Sequence, residues 1–199
     1  QVVLADGGCR GYGQLVSTLP LDLLLAMCRN PAAPPHHAPG SLRFSSVDIV
    51  GLGLEGEPPA SVAERCWMYF PEPASPYFRV TLLSRYSPFN VPEPGRTWSL
   101  MAEVASLPGR GLPPEAVVSR VRESLEADGL LPAGTAVRSV VHRHKERGYP
   151  TPFLGRDGVV EPRLRWLAAH GVFSRGRFGA WKYEVSNQDH SFAQGREVA

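Results

Sequence analysis

The sequence predicts an α+β protein: a largely antiparallel sheet with a few helices, followed by a C-terminal strand-turn-helix. Three observations carry this. Short apolar runs with period-two alternation recur between turn residues, as half-buried strands require. Glycine and proline number 20 each in 199 residues, so loops are frequent. Only the stretch from Pro113 to Ala127 holds a clear helical stripe, with Val117, Val118, Val121 and Leu125 on one face. A hydrophobic content of 43% supplies a core. The net charge of +2 comes from scattered residues, so neither nucleic acid nor a membrane surface is an expected partner. No apolar run approaches the roughly 20 residues that span a bilayer. Cys9, Cys28 and Cys66 are odd in number and widely spaced, which fits neither a disulfide framework nor a metal knuckle and points to a reducing, cytoplasmic setting.

Taken in order, Val2 to Ala5 is strand-like and closed by Asp6-Gly7-Gly8, and Gln14 to Leu19 reads as a buried strand. Pro20 opens a short helix whose Leu21, Leu24, Leu25 and Cys28 share a face. Arg29 to Gly40 is a proline-rich connector containing His36-His37, and Leu42 to Leu54 is a long strand. Gly51-Leu52-Gly53-Leu54-Glu55-Gly56 spells a dinucleotide fingerprint, but that motif needs a helix to open there. Glu55, Glu57 and Pro58-Pro59 oppose one, so the glycines are read as strand and turn. Cys66 to Phe70 and Tyr77 to Leu83 form a strand pair, the second with Phe78, Val80 and Leu82 on one face and Arg79 on the other. Ser87 to Arg96 is a proline-rich loop, Trp98 to Val104 a strand, and Ala136 to His144 another. Tyr149-Pro150-Thr151-Pro152 is a stiff extended segment, and a second helix runs from about Glu161 to Ala169. Gly171 to Ser174 is the closing strand.

The segment from Gly176 to Gly195 concentrates the functional signal. Gly176 and Gly179 imply a sharp bend or a close approach by something large. Ser186-Asn187-Gln188-Asp189 reads as a helix start, where amide N–H groups face an electron-rich ligand. Arg177 lies between the two glycines, and Arg79 sits mid-strand among apolar neighbours. A forked guanidinium in either place suits phosphate or carboxylate. Tyr149 and Tyr183 carry hydroxyls able to bond the same anion, with core packing as the competing role. His142 and His144 share a strand face, but no third ligand is apparent, so no metal is expected. There is no nucleophile elbow and no P-loop.

At these residues the chain resembles UDP-galactopyranose mutases and related flavoproteins of the amine oxidase and protoporphyrinogen oxidase superfamily. Gly176 to Tyr183, GRFGAWKY, is similar to the mutase signature G-R-x-G-x-[YW]-[KR]-Y; Tyr149-Pro150, Phe78-Arg79-Val80-Thr81 and Ala102-Glu103 follow the family's order from about Glu64 to Asp189. The resemblance implies FAD and a small anionic substrate, a nucleotide-sugar in the mutase branch. It assigns Arg79 and Arg177 as catalytic contacts to a diphosphate, with Tyr149 and Tyr183 binding substrate. Gly176, Gly179, Asn187, Gln188 and Asp189 would face the cofactor, the helix start directing its positive end at the flavin. Glu184-Val185 follows Tyr183 where mutases place an Asp, which points to the oxidoreductase branch. The implied organisation is an entry strand and helix over 1–28, a substrate-binding domain over 29–145 and a flavin-facing segment over 146–199. The dinucleotide-binding half is then expected in a longer parent, a view in keeping with a start at Gln1 and an end inside a helix.

Overall fold

The computed structural model describes residues 1–29, 42–185 and 187–198, so His36-His37, nearly all of the proline-rich connector, and Ser186 lie outside the described residues. The chain forms two compact units, residues 45–148 and residues 1–44 with 149–199.

Val2–Val3 (β1) and Cys9–Arg10 (β2) make a short antiparallel hairpin. Its turn uses Gly7 at φ +83°, a left-handed conformation, and the Asp6 carboxylate accepts the Gly8 amide at 2.8 Å. The expected strand over 14–19 is Leu15–Ser17 (β3), and the helix after Pro20 is Leu21–Ala26 (α1). Leu21, Leu24 and Leu25 are buried while Leu23 and Met27 are exposed, so helical spacing selects the core face.

In the 45–148 unit, Phe44–Glu55 (β4), Trp67–Tyr69 (β5), Arg79–Leu82 (β6), Thr97–Ser106 (β7) and Val137–Pro150 (β8) form a sheet in the order β5-β6-β7-β4-β8. The β4–β7, β6–β7 and β5–β6 ladders are antiparallel. Gly51 beside Val141 and Gly53 beside Ser139 show β8 running antiparallel to β4 as well. Register aligns Val50, Ala102 and Val80 in one row and Leu52, Leu100 and Leu82 in the next. The helix Pro114–Ala127 (α2) adds Val117, Val121 and Leu125 to this buried cluster. Tyr77 is buried and bonds through its hydroxyl to Asp128, just past the end of α2. Burial, reinforced by that carboxylate, pushes the phenol well above its ordinary range.

The fingerprint-like glycines belong to β4, which continues through Leu54 and Glu55 before Gly56 turns at φ +83°. A Cβ on Gly53 would lie 2.5 Å from Ser139 Oγ, so the neighbouring strand accounts for the missing side chain. β8 is longer than its two sequence signals, and joins them into one strand from Val137 to Pro150. Gly148 permits this: a Cβ there would come within 2.9 Å of the Val47 side chain.

In the other unit, Arg156–Ala169 (α3) starts earlier than the expected Glu161. Pro162 reads as a first-turn residue, yet here it lies inside the helix, four residues after Gly158, and forfeits one backbone bond. Burial of Val160 and Leu167, and contacts made by Arg156, offset that loss. Val172–Ser174 (β9) pairs with β3 in parallel, and Gln188–Val198 (α4) closes the chain. Leu21, Leu25, Val160, Leu167, Val172 and Trp181 form the buried centre of this unit.

Leu125→Ala should lower stability by about 2–5 kcal/mol in urea denaturation, because it empties a fully buried site on α2. Arg120→Ala on the exposed face should change it by less than about 0.5 kcal/mol. Equal effects of the two would contradict the assigned helix face.

Candidate functional site

The turn after β9 is specified by its own carbonyls. Six in succession have identified donors. The oxygens of Gly176 and Arg177 accept the amides of Ala180 (2.9 Å) and Lys182 (2.8 Å). Phe178 accepts the Leu21 amide at 3.1 Å, and Gly179 accepts the Ser174 hydroxyl at 2.8 Å. Ala180 and Trp181 both accept from Arg156, the latter from Nε at 2.8 Å. Two backbone features make this path possible. Gly176 takes φ +86°, and a Cβ on Gly179 would lie 2.0 Å from the Arg175 carbonyl oxygen. Trp181, with φ +48° and its ring buried against Phe178 and Phe44, anchors the turn to the core.

This path brings three of the expected site residues together. The Arg177 guanidinium lies 4.7 Å from the Tyr149 ring centroid and 5.7 Å from that of Tyr183, and the two rings are 5.6 Å apart. Tyr149 comes from the end of β8, where Thr151 bonds back to the Arg43 carbonyl at 2.7 Å. Arg177 is half-buried and Tyr183 is 47% exposed, so the cluster is reachable from solvent. A guanidinium beside two electron-rich rings is stabilised by cation–π attraction, and its planar fork matches the geometry of a phosphate or carboxylate. The arrangement can hold a phosphate or carboxylate through charge, guanidinium donors and phenol hydroxyls.

Arg79 lies in the other unit with its own neighbours. It stands opposite Tyr69 on β5 and Glu103 on β7, and it forms an ion pair with the buried Glu103 carboxylate. Its guanidinium is 5.9 Å from the Phe78 ring. Around it the surface is aromatic: Trp67, Tyr69 and Tyr86 are exposed, and the Trp67 and Tyr86 rings are 6.1 Å apart. The Tyr86 phenol is raised, chiefly by burial, then by Cys66, with Arg79 acting in the opposite sense. Sequence reasoning missed this shelf. Its signal was present in the alternation of Trp67 and Tyr69 about the buried Met68.

The residues expected to face a cofactor are distributed more loosely. The Gly176 amide donates to Gln194 Oε1 at 2.6 Å, tying the turn to α4. The requirement for Gly179 is internal, since it is the Arg175 carbonyl that fills the space. Asn187 passes its carbonyl to the Ser191 amide at 3.0 Å, which starts α4, and Gln188 and Asp189 occupy the exposed first turn. The first amides of a helix have no intrahelical acceptor, so this end offers donors and positive potential. A glycine-rich cradle for the dinucleotide phosphates is not formed among the described residues, the one fingerprint-like sequence being strand β4.

His142 and His144, placed on one strand face by their spacing, share a carboxylate. Asp48, on β4, meets both: its Oδ1 lies 2.8 Å from His142 Nε2 and 3.0 Å from His144 Nδ1. His144 Nε2 also lies 3.3 Å from Glu146. The carboxylate was invisible in the sequence because it is 94 residues from His142 and arrives by strand pairing. No group of three or more potential metal ligands with suitable geometry occurs among the described residues.

With this geometry in view, the comparisons are specific. The chain is similar to a solved structure of reduced UDP-galactopyranose mutase, with 39% identity and a TM-score of 0.88 over 98% of this chain. A protoporphyrinogen oxidase-like protein from Exiguobacterium sp. 255-15 shares the fold, at 16% identity and a TM-score of 0.65 over 93% of this chain. The superfamily resemblance read from the sequence therefore holds. The chain spans 42% of the length of the first protein and 40% of the second. No family model matches it. No helix among the described residues is long and apolar enough to cross a membrane.

The histidine cluster gives a pH prediction. Hydrogen bonds to the carboxylates of Asp48 and then Glu146 raise the His144 pKa above its ordinary 6.5. The stabilisation is therefore fully present below that value and is lost as pH rises through the raised one. Tm should fall more in the parent protein than in His144→Gln as pH is raised from about 5.5 to 8.5. Identical slopes in the two proteins would remove His144 as the source.

Proposed function

We propose that the chain is the C-terminal, flavin-facing and substrate-binding part of an FAD-dependent oxidoreductase of the amine oxidase and UDP-galactopyranose mutase-like superfamily. The observation that carries this is the Arg177–Tyr149–Tyr183 cluster, built on the GRFGAWKY turn of a chain 39% identical to a mutase. In this reading residues 29–145 are the substrate-binding domain, 146–199 form the flavin-facing segment, and 1–28 lead into them. The substrate is a small anion. Arg177 is its charge partner, with the Tyr149 and Tyr183 hydroxyls as further donors, and Arg79 is a second anion contact whose charge Glu103 moderates. The α4 start at Asn187, Gln188 and Asp189 faces the cofactor, with Gly176 and Gly179 shaping the backbone beside it. When bound, FAD supplies either hydride acceptance or, in mutase-type chemistry, a nucleophilic ring nitrogen. The three free thiols, two of them exposed, support a cytoplasmic setting.

A narrower reading is a UDP-galactopyranose mutase-type isomerase acting on a nucleotide-sugar. The 39% identity favours it, whereas Val185, where mutases carry Asp, favours the broader oxidoreductase class. A third reading, a module that has lost its flavin, predicts a colourless full-length protein. Yellow protein bleached by dithionite eliminates that one. Reduced protein converting UDP-galactofuranose to the pyranose selects the mutase. Oxygen- or NAD(P)-linked flavin cycling without that conversion selects the oxidoreductase.

Arg177→Ala in the full-length protein should weaken UDP binding by about 10- to 100-fold, as loss of hydrogen bonds to a charged group does. Arg79→Ala should weaken it less, because a neighbouring carboxylate already offsets its charge. Calorimetric titration with UDP gives both values; unchanged affinity in both variants would remove the anion-site assignment.

A further inference from the structure

We propose that Arg156 is a positioning residue for the anion site, a role resting on the reading of Arg177 and Tyr183 as anion contacts. Arg156 is the first residue of α3, with a side chain 19% exposed. It spends its fork on two consecutive backbone carbonyls: Nη2 donates to Ala180 and Nε to Trp181. Nη1 pairs with Asp157 and lies 3.9 Å from Glu161. Two carboxylates thus offset its charge, and each of its three nitrogens has a hydrogen-bond partner within the protein. Arg156 is therefore a clamp on the backbone and contributes no anion contact of its own.

What it clamps is the part of the turn for which no other donor is found among the described residues. Four of the six carbonyls from Gly176 to Trp181 are served by main-chain amides or by Ser174. The last two depend on the guanidinium of Arg156. Those residues lead directly into Lys182, whose amide closes back on the Arg177 carbonyl, and into Tyr183, whose ring lies against Arg177. Trp181 also holds φ +48°, a conformation that a side-chain-bearing residue keeps only when its surroundings enforce it. One guanidinium thus fixes the path that sets Tyr183 beside Arg177. Lysine has the charge but lacks the planar fork, so it reaches only one of the two carbonyls.

The test uses full-length flavoprotein carrying Arg156→Lys, Arg177→Ala, or both. Deuterium uptake in the peptide spanning residues 176–183 reports the clamp without reference to ligand. It should rise by about tenfold in Arg156→Lys while α2 peptides stay unchanged, as expected for local opening. UDP affinity should fall by about tenfold in the same variant, and by less than about twofold more when Arg156→Lys is added to Arg177→Ala, since coupled residues are not additive. Should Arg156→Lys fold poorly, Arg156→Ala with added guanidinium ion replaces it, and recovery of UDP binding is the expected result. Unchanged uptake overturns the proposal, as does an undiminished penalty in the double variant. If Arg177→Ala alone binds UDP normally, the anion-site reading fails and takes the functional role of the clamp with it; raised uptake in Arg156→Lys would identify that case.

Discussion

A buried carbonyl without a donor costs roughly 1–3 kcal/mol, and the residues from Gly176 to Trp181, two buried and four half-buried, present six carbonyls in a row. No helix or sheet ladder supplies their partners. The donors come instead from the turn itself, from the start of α1, from the end of β9 and from the first residue of α3. The helices α1 and α3 and the strand β9 are consequently tied to this one stretch. Pairing of β9 with β3 places Ser174, and the burial of Leu21 places the amide that meets Phe178. The candidate anion site follows from this hydrogen-bond accounting, because Arg177 lies among the constrained carbonyls and Tyr183 follows them by two residues.

Glycine carries a different meaning at each place. In β4 and β8 it allows strands to lie side by side, as at Gly53 beside Ser139 and Gly148 beside Val47. In the turn it serves conformation at Gly176 and space at Gly179. The sequence of β4 imitates a nucleotide fingerprint because both structures need close backbone approach. Only the missing helix start separates them. That distinction was legible from Glu55, Glu57 and the proline pair, since proline and acidic charge oppose a phosphate-facing helix.

Local signals proved readable wherever they were local in cause. The stripe of α2, the burial of Leu21, Leu24 and Leu25, and the alternation of β6 and β7 depend on spacing within one element. The start of α3 was misplaced because the contacts that hold its first turn lie in the distant segment 180–181. At the site, Arg177, Tyr149 and Tyr183 were legible from a family pattern. Their stacking was not, since cation–π contact depends on side-chain placement across β8 and the turn. Asp48 beside two histidines and Glu103 beside Arg79 were hidden for one reason: strand register created both neighbours.

The two arginines have different neighbours. Arg79 has a buried carboxylate against it, which limits its capacity to attract a further anion, while Arg177 is flanked by aromatic faces. The most direct measurement is a structure of the full-length protein with UDP bound. Diphosphate oxygens are expected within about 3 Å of the Arg177 guanidinium, with the Tyr149 or Tyr183 hydroxyl bonded to the same group. A diphosphate held elsewhere, with Arg177 still stacked on the two rings and touching no ligand atom, would contradict it.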